Sequence, residues 1–356
     1  MGFRQLVEEP GPVGARQGKP GLRGALIGYG TIAEGHLTGI SRTDGLEITA
    51  VVDVSPARRA AARRELPGVR VFAELDELPV EELDFIDVCT PPHAHLDGIR
   101  FGLRHDLAVL CEKPLLLDRQ ELEALEPAEK ASRGFLFPCH NYRFAPSVIA
   151  MKAALDGCGA PDGDFRGHFR TLRTSHARGT ADWRPDWRRE RSVGGGGILR
   201  DHGPHSVYLA AHLVGSRPDR VRCDLRRPEG GPYADTEEYA FLSLSFASGA
   251  VVDFELDWTA AGRQTSYLVS GSWGHVRLID DELEQCVDGA ALRSRLPSDF
   301  NDPRHGNWFK GVFEEFLAEV SEGGRSARLR EDAAVTIRVI EAAYRSAALG
   351  GPWIDV

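Results

Sequence analysis

The sequence predicts an α/β protein: an N-terminal doubly wound parallel-sheet domain, followed by an α+β domain with an open, mainly antiparallel sheet. Three observations carry this. Short, near-continuous apolar runs alternate with helix-like stretches from Leu22 to about Arg143. The first of those runs opens into a glycine turn, and beyond Arg143 the apolar spacing changes to strict alternation. At 356 residues the chain is also too long for one core of ordinary size, so two domains are the default.

Taken in order, residues 1–21 hold five glycines and three prolines and read as a flexible tail before the fold. Residues 22–142 form the first domain. Its strand runs are 24–28, 48–53, 69–72, 85–89, 107–111 and 135–137, each buried on both faces by intervening helices. Residues 143–356 form the second. Leu242, Leu244 and Phe246 alternate with Ser243 and Ser245, Ser248-Gly249 makes a turn, and Val252, Phe254, Leu256 and Trp258 alternate with acids, which is a hairpin with one buried face. Further strands are predicted at 164–174, 219–225, 265–270 and 275–279. Late helices are predicted at 308–320 and 332–349, the latter stopped by Gly350-Gly351-Pro352 and able to pack back on the first domain.

Composition narrows the function classes. A net charge of -10 argues against nucleic-acid or anionic-membrane binding, which needs a basic face. No apolar run approaches a membrane span and no signal segment precedes the fold, so the reading is a cytoplasmic protein. Six cysteines (Cys89, Cys111, Cys139, Cys158, Cys223, Cys286) are scattered, the nearest two 19 residues apart. Zinc sites draw on closely spaced pairs, so these read as buried thiols, with no metal and no disulfide framework.

Ala25-Leu26-Ile27-Gly28-Tyr29-Gly30-Thr31-Ile32-Ala33 is a strand, a glycine turn and a helix start. Gly28 permits the turn, Gly30 lets a pyrophosphate approach the backbone, and Ala33 lets helix and strand pack closely. The N–H groups of Tyr29, Thr31 and Ile32 lie where helix-terminal donors bind phosphate. The second strand ends at Asp53, 25 residues after Gly28, where a ribose-binding carboxylate belongs. A carboxylate accepts from both ribose hydroxyls and repels a 2′-phosphate, so NAD is favoured over NADP, with Arg58 and Arg59 nearby as the complication.

Two later motifs follow the fourth and fifth strands, at the sheet edge where ligands bind in open α/β folds: Cys89-Thr90-Pro91-Pro92-His93-Ala94-His95 and Cys111-Glu112-Lys113-Pro114. Glycines 194–197 then precede Asp201-His202-Gly203-Pro204-His205. Together with Asn141-Tyr142-Arg143-Phe144-Ala145-Pro146, these resemble the Gfo/Idh/MocA family of sugar and polyol oxidoreductases from Leu22 onward. The resemblance implies a Rossmann domain, NAD chemistry and a set of roles. Lys113 matches the active-site lysine, and Asp201 and His205 match the acid and histidine of inositol-dehydrogenase-like members. Thr90, Pro91 and His95 match the nicotinamide end, with Glu112 beside the nicotinamide ribose and a peptide before Pro114 that is often cis. Tyr142 and Arg143 fall in the matched substrate region. Residues 173–200, with seven arginines and both Trp183 and Trp187, match one wall of the substrate cleft.

The chemistry is consistent with those roles. Oxidising a secondary alcohol needs a base for the hydroxyl proton, and a histidine such as His205 titrates in the right range. Asp201, four residues earlier, shares its helix face and would orient His205 or a substrate hydroxyl. Lys113 would stabilise the developing alkoxide. Otherwise Asp201 is a helix N-cap and His205 a satisfied buried histidine. His202 reads as a bystander with a possible polar contact, and the arginines as a solvated loop or as ligands for an anionic substrate. The function expected is reversible oxidation of a secondary hydroxyl on a sugar, cyclitol or polyol. A redox-neutral epimerase or dismutase, or a nucleotide-sensing regulator, are the competing readings. An open sheet with an uncovered apolar face further predicts a homodimer or homotetramer.

Overall fold

The computed structural model describes residues 21–158, 164–296, 305–324 and 327–356. The tail expected at 1–21 lies, except for Gly21, outside these residues. Six strands form the first sheet: β1 (Leu22–Ile27), β2 (Leu46–Val52), β3 (Arg70–Phe72), β4 (Phe85–Val88), β5 (Ala108–Cys111) and β6 (Leu136–Pro138). Between them run α1 (Thr31–Ser41), α2 (Pro56–Glu65), α3 (His95–Arg104) and α4 (Arg119–Ala131). All neighbours are parallel, in the order β3-β2-β1-β4-β5-β6, the Rossmann arrangement. Helix starts follow local chemistry: Ser55 accepts from Arg58 N–H before α2, and Asp118 accepts from Glu121 N–H before α4.

Register decides where the chemistry emerges. Ile27 lies opposite Val52 and Val88, and Val88 opposite Cys111. The next residues in each strand, Gly28, Asp53, Cys89 and Glu112, therefore leave the sheet at one edge.

The second half begins with α5 (Pro146–Gly157), β7 (Arg166–Leu172), the short α6 (Arg191–Gly194) and α7 (Ile198–Val214). Strands β8 (Pro218–Arg226), β9 (Tyr239–Phe246), β10 (Val251–Asp257), β11 (Gln264–Gly271), β12 (Gly274–Ile279), β13 (Glu282–Val287) and β14 (Ala290–Arg295) follow. The chain closes with α8 (Gly306–Ser321), α9 (Ala327–Ala348) and β15 (Ile354–Asp355). The nine-stranded sheet runs β14-β13-β12-β11-β7-β10-β9-β8-β15. Every pair is antiparallel except β7 with β10, so it is mixed. The predicted β9–β10 hairpin is present, with Phe254 opposite Leu242. Sequence reading missed α5, β13, β14 and β15.

Both late helices return to the first sheet. Phe309, Phe313 and Phe316 of α8 are fully buried against Leu26, Val51, Phe85 and Leu110. Ala333, Ala334 and Ile337 of α9 pack on the other face with Ala25, Ile86 and Val109. Val335, Val339, Ile340 and Ala343 of the same helix belong to the core of the second sheet, with Leu209 and Phe254. Truncating one of the α8 phenylalanines to Ala would cost about 3–5 kcal/mol.

One face of the second sheet is covered by α5 and α7. The other is mixed: Phe241 lies opposite Glu255 and Leu268 opposite His168, so partly exposed apolar side chains stand there among charged ones. Arg166, His168 and Arg170 of β7 alternate with buried Phe169, and Asp253 and Glu255 of β10 alternate with buried Phe254. Arg170 pairs with Glu255 at 2.6 Å. Cys89, Cys111, Cys139 and Cys223 are buried thiols as expected, whereas Cys158 and Cys286 are only half-buried. Among the described residues no helix is long and apolar enough to cross a membrane.

Candidate active site

A cleft of about 580 Å³ runs along the carboxyl edge of the first sheet and ends between the two sheets. At its first end lie Gly28, Gly30, Thr31, Ile32, Asp53, Thr90 and Pro91. Gly28 has φ +91, and a Cβ there would press on Thr90 N at 3.0 Å. Gly30 is different: a Cβ would meet nothing within 4 Å, because the backbone faces open cleft. Gly30 is also the N-cap of α1 and brings no side-chain cap. Open space beside uncapped helix-terminal donors suits the pyrophosphate of a dinucleotide. Asp53 is held in place by Tyr29 N–H at 2.8 Å and Ser55 N–H at 2.7 Å. Arg58 Nε and Arg59 Nη1 donate to the carbonyls of Tyr29 and Asp53, each at 2.7 Å. Arg58 also lies 3.9 Å from Asp182 on the 173–200 segment, which therefore reaches across the cleft.

Four expected site residues do not line it. The Tyr29 ring turns inward, donating to Glu65 at 2.9 Å, and burial raises its phenol well above the usual range. Ala33 is fully buried and serves packing alone. His95 is sealed: Nδ1 lies 2.9 Å from Pro114 O and Nε2 2.8 Å from Thr90 O, so it ties together the loops after β4 and β5. Arg143 does not line the cleft, and its charge acts on the His140, His212 and Glu315 side chains.

Lys113, Asp201, His202, His205 and Tyr142 gather at the other end of the cleft, and Trp183 and Trp187 also line the cleft. Lys113 Nζ donates to Asp201 Oδ1 at 3.0 Å and Asp201 O at 3.1 Å, and the Lys113–Pro114 peptide is cis. Arg188 Nε lies 3.4 Å from Asp201 Oδ1, and His202 Nε2 3.7 Å from Oδ2. Burial alone would raise the Asp201 pKa, but Lys113 and Arg188 outweigh it and hold the carboxyl well below its usual range. His205 stacks on Tyr142, ring centres 3.9 Å apart, and its Nδ1 lies 2.7 Å from the Tyr208 hydroxyl. Burial first, then Lys113 and His202, push the His205 pKa well down, so the ring is neutral. Burial also drives His202 down to about 3.

The glycine run seats the catalytic helix. A Cβ on Gly196 would collide with the Tyr344 hydroxyl, and one on Gly197 with the Glu237 carbonyl. Buried Glu237 accepts through Oε1 from Gly197 N–H at 2.9 Å, Leu199 N–H at 3.1 Å and Tyr344 OH at 2.7 Å. A carboxylate thus caps the start of α7, one turn before Asp201.

Sequence reasoning also missed a charge cluster beneath the cleft. His36 of α1 is fully buried, with Nδ1 2.8 Å from Asp87 Oδ2 and Nε2 3.1 Å from Glu112 Oε1. Burial opposes its charge, but the two acids raise its pKa to about 9. Glu112 in turn accepts from Lys113 N–H at 2.9 Å. Metal-ligating atoms gather here in two groups among the described residues, His36/Asp87/Cys89 and His36/Glu112/Cys139. Both share an imidazole already paired to two carboxylates, which makes this an ion-pair cluster. The signal available was a lone histidine on the inner face of α1.

The seven arginines of 173–200 divide. Arg178, Arg184 and Arg191 are exposed on the outer side of the segment, the first two paired with Asp186 and Glu190, and Arg189 pairs with Glu238. Arg173, Arg188 and Arg200 line the cleft.

Residues 22–138 match the pattern of an oxidoreductase family with an NAD-binding Rossmann fold, and residues 163–277 that of the Gfo/Idh/MocA C-terminal domain. The chain belongs to the Gfo/Idh/MocA family of NAD-binding oxidoreductases. It is 26% identical to an inositol 2-dehydrogenase from Rhizobium meliloti (strain 1021), over 92% of this chain and 97% of that one. Its fold is similar to that of an oxidoreductase from Agrobacterium radiobacter in complex with NAD+, L-tartaric acid and magnesium, at 22% identity and a TM-score of 0.80 over 94% and 98% of the two chains. It is also similar to a levoglucosan dehydrogenase in complex with NADH and levoglucosan, at 21% identity and a TM-score of 0.79 over 94% and 99%.

Proposed function

We propose that this protein catalyses reversible, NAD-dependent oxidation of a secondary hydroxyl on a sugar, cyclitol or related polyol. The observation that carries the reading is the meeting of Lys113, Asp201 and His205 at one end of the cleft that Gly28, Gly30 and Asp53 open. The dehydrogenases of inositol and levoglucosan among its relatives lend support.

When bound, NAD supplies the hydride acceptor. The protein does the rest. The Asp53 carboxylate selects a free ribose 2′-hydroxyl over a phosphate. Lys113, fixed by Asp201, donates to the reacting oxygen and lowers the cost of alkoxide character. With Nδ1 engaged by Tyr208, His205 presents Nε2 for the hydroxyl proton, and Tyr142 stacking fixes the ring plane. Trp183 and Trp187 line the same cleft, where their rings would keep water from the reacting atoms.

The test is fluorescence titration with NAD and NADP, followed by a polyol screen for NADH formation. Preferential NAD binding with NADH formed from at least one polyol supports the reading. Binding of neither nucleotide defeats it.

A further inference from the structure

The ammonium of Lys113 is fixed by Asp201, but the backbone that carries it is fixed from below. His95 Nδ1 lies 2.9 Å from Pro114 O, and Glu112 Oε2 accepts from Lys113 N–H at 2.9 Å. The second hold reaches further. Glu112 Oε1 lies 3.1 Å from His36 Nε2, and Nδ1 of the same ring lies 2.8 Å from Asp87 Oδ2. One side chain of α1 thus ties β4 to the residue before Lys113.

The tie depends on charge. A neutral imidazole has a single N–H and can serve only one of two ionised carboxylates, so both bonds need an imidazolium. The Cys89 and Cys139 thiols beside it bring no charge, because burial pushes both well above their usual range. Lys113 also acts on Glu112, yet its ammonium is spent on Asp201. His36 itself is fully buried, its ring centre 4.2 Å from that of Phe309 and 5.8 Å from that of Phe313. A buried carboxylate that loses its cation takes up a proton or swings away. Either way the Lys113 N–H loses that acceptor or keeps a weaker one.

We infer that His36 is a positioning residue for the hydride transfer: it holds the Glu112 carboxylate under the Lys113 N–H and so sets where Lys113 stands. It is buried away from the cleft and touches neither coenzyme nor substrate. What Lys113 does once in place rests on the dehydrogenase reading above.

The experiment compares His36→Gln, Glu112→Gln and the double variant with the unaltered protein. The readouts are hydrogen exchange of the peptide that holds Lys113, followed by mass spectrometry, together with NAD affinity, melting temperature and kcat. In His36→Gln the Lys113 amide should exchange about tenfold or more faster, and kcat should fall about 10–100-fold with NAD affinity changed far less. Because His36 acts through Glu112, the double variant should match Glu112→Gln in both exchange and kcat. It also removes the stranded buried acid, so this comparison decides the matter if His36→Gln does not fold. Unchanged exchange at Lys113 in His36→Gln overturns the inference. So does a loss confined to melting temperature or NAD affinity, and so does a double variant well below Glu112→Gln. Failure of the dehydrogenase reading is distinct: it appears as no NADH from any polyol, while the exchange comparison still decides whether His36 holds the Lys113 loop.

Discussion

Lys113 Nζ and Asp201 Oδ1 stand 3.0 Å apart, joining the loop after β5 in the first sheet to the first turn of α7 in the second half. Neither side chain is much exposed, at 17% and 11%. Lys113→Met should therefore remove both the alkoxide-stabilising charge and the clamp. The expected loss in kcat is about 10²–10⁴-fold, with NAD affinity changed far less, measured by NADH formation beside nucleotide titration. Normal turnover by this variant would sink the mechanism.

His205 is the second point of attack. Only the neutral ring accepts a proton, and burial with Lys113 nearby pushes its pKa well below 6.5. The acid limb of kcat/KM, which reports the free enzyme, should then fall below pH 6.5, with activity retained through pH 6. His205→Gln should lose turnover at every pH. A limb centred at or above 6.5 contradicts the assignment.

Stability carries its own pH signature. His140 and His202, both lowered to about 3, and His205 stay neutral when folded but protonate near 6.5 once unfolded. The unfolded state then binds more protons as pH falls, so stability drops below pH 6.5, by up to about 1.4 kcal/mol per pH unit for each ring. His36 works the other way: raised to about 9, its contribution is complete below pH 6.5 and is lost as pH rises through 9. Urea unfolding at pH 5, 7.5 and 10 should show its midpoint highest at 7.5.

Coenzyme choice rests on Asp53. Two backbone N–H groups orient its carboxylate, while Arg58 and Arg59 are occupied with carbonyls. Asp53→Ser should cut the NAD-over-NADP preference by about tenfold or more, because the repulsion of a 2′-phosphate goes with the charge. An unchanged ratio in paired titrations would place the discrimination elsewhere.

Glu237 offers a test of helix seating. Glu237→Leu strands two N–H groups of α7 and the Tyr344 hydroxyl, at a cost of about 2–4 kcal/mol. Glu237→Gln keeps an acceptor oxygen and should cost less. If α7 is displaced, kcat falls along with the melting temperature in the Leu variant and recovers in the Gln variant.

Much of the first sheet was legible because each strand is a short apolar run ending in a residue with chemistry: Gly28, Asp53, Cys89 and Glu112. The second sheet was legible only where one face is buried. Burial alternates in β10, so its hairpin could be read; all six residues of β14 are exposed, and no period survives there. Residues carried by local motifs, such as Gly30, Asp53 and Lys113, do line the cleft. His36 and Glu237 were not singled out, since what they do depends on distant partners. His36 meets Asp87 across 51 residues, and Glu237 meets Gly197 across 40. Arg143 and His95 failed for the converse reason: a motif fixes the backbone but not the direction of a side chain.

Helix α9, with one stripe of its surface in each core, has a bearing on biosynthesis. A chain emerging from its N-terminus completes every strand of both sheets except β15 before that helix exists. Until α9 has emerged, the two cores lack the helix they share, with Ile337 on one side and Val339 on the other. The cleft is therefore the last part of the molecule to take shape. A truncation that removes α9 would leave the two sheets joined only through α8, with Trp308 in one core and Phe309 in the other, and should loosen the Lys113–Asp201 pair.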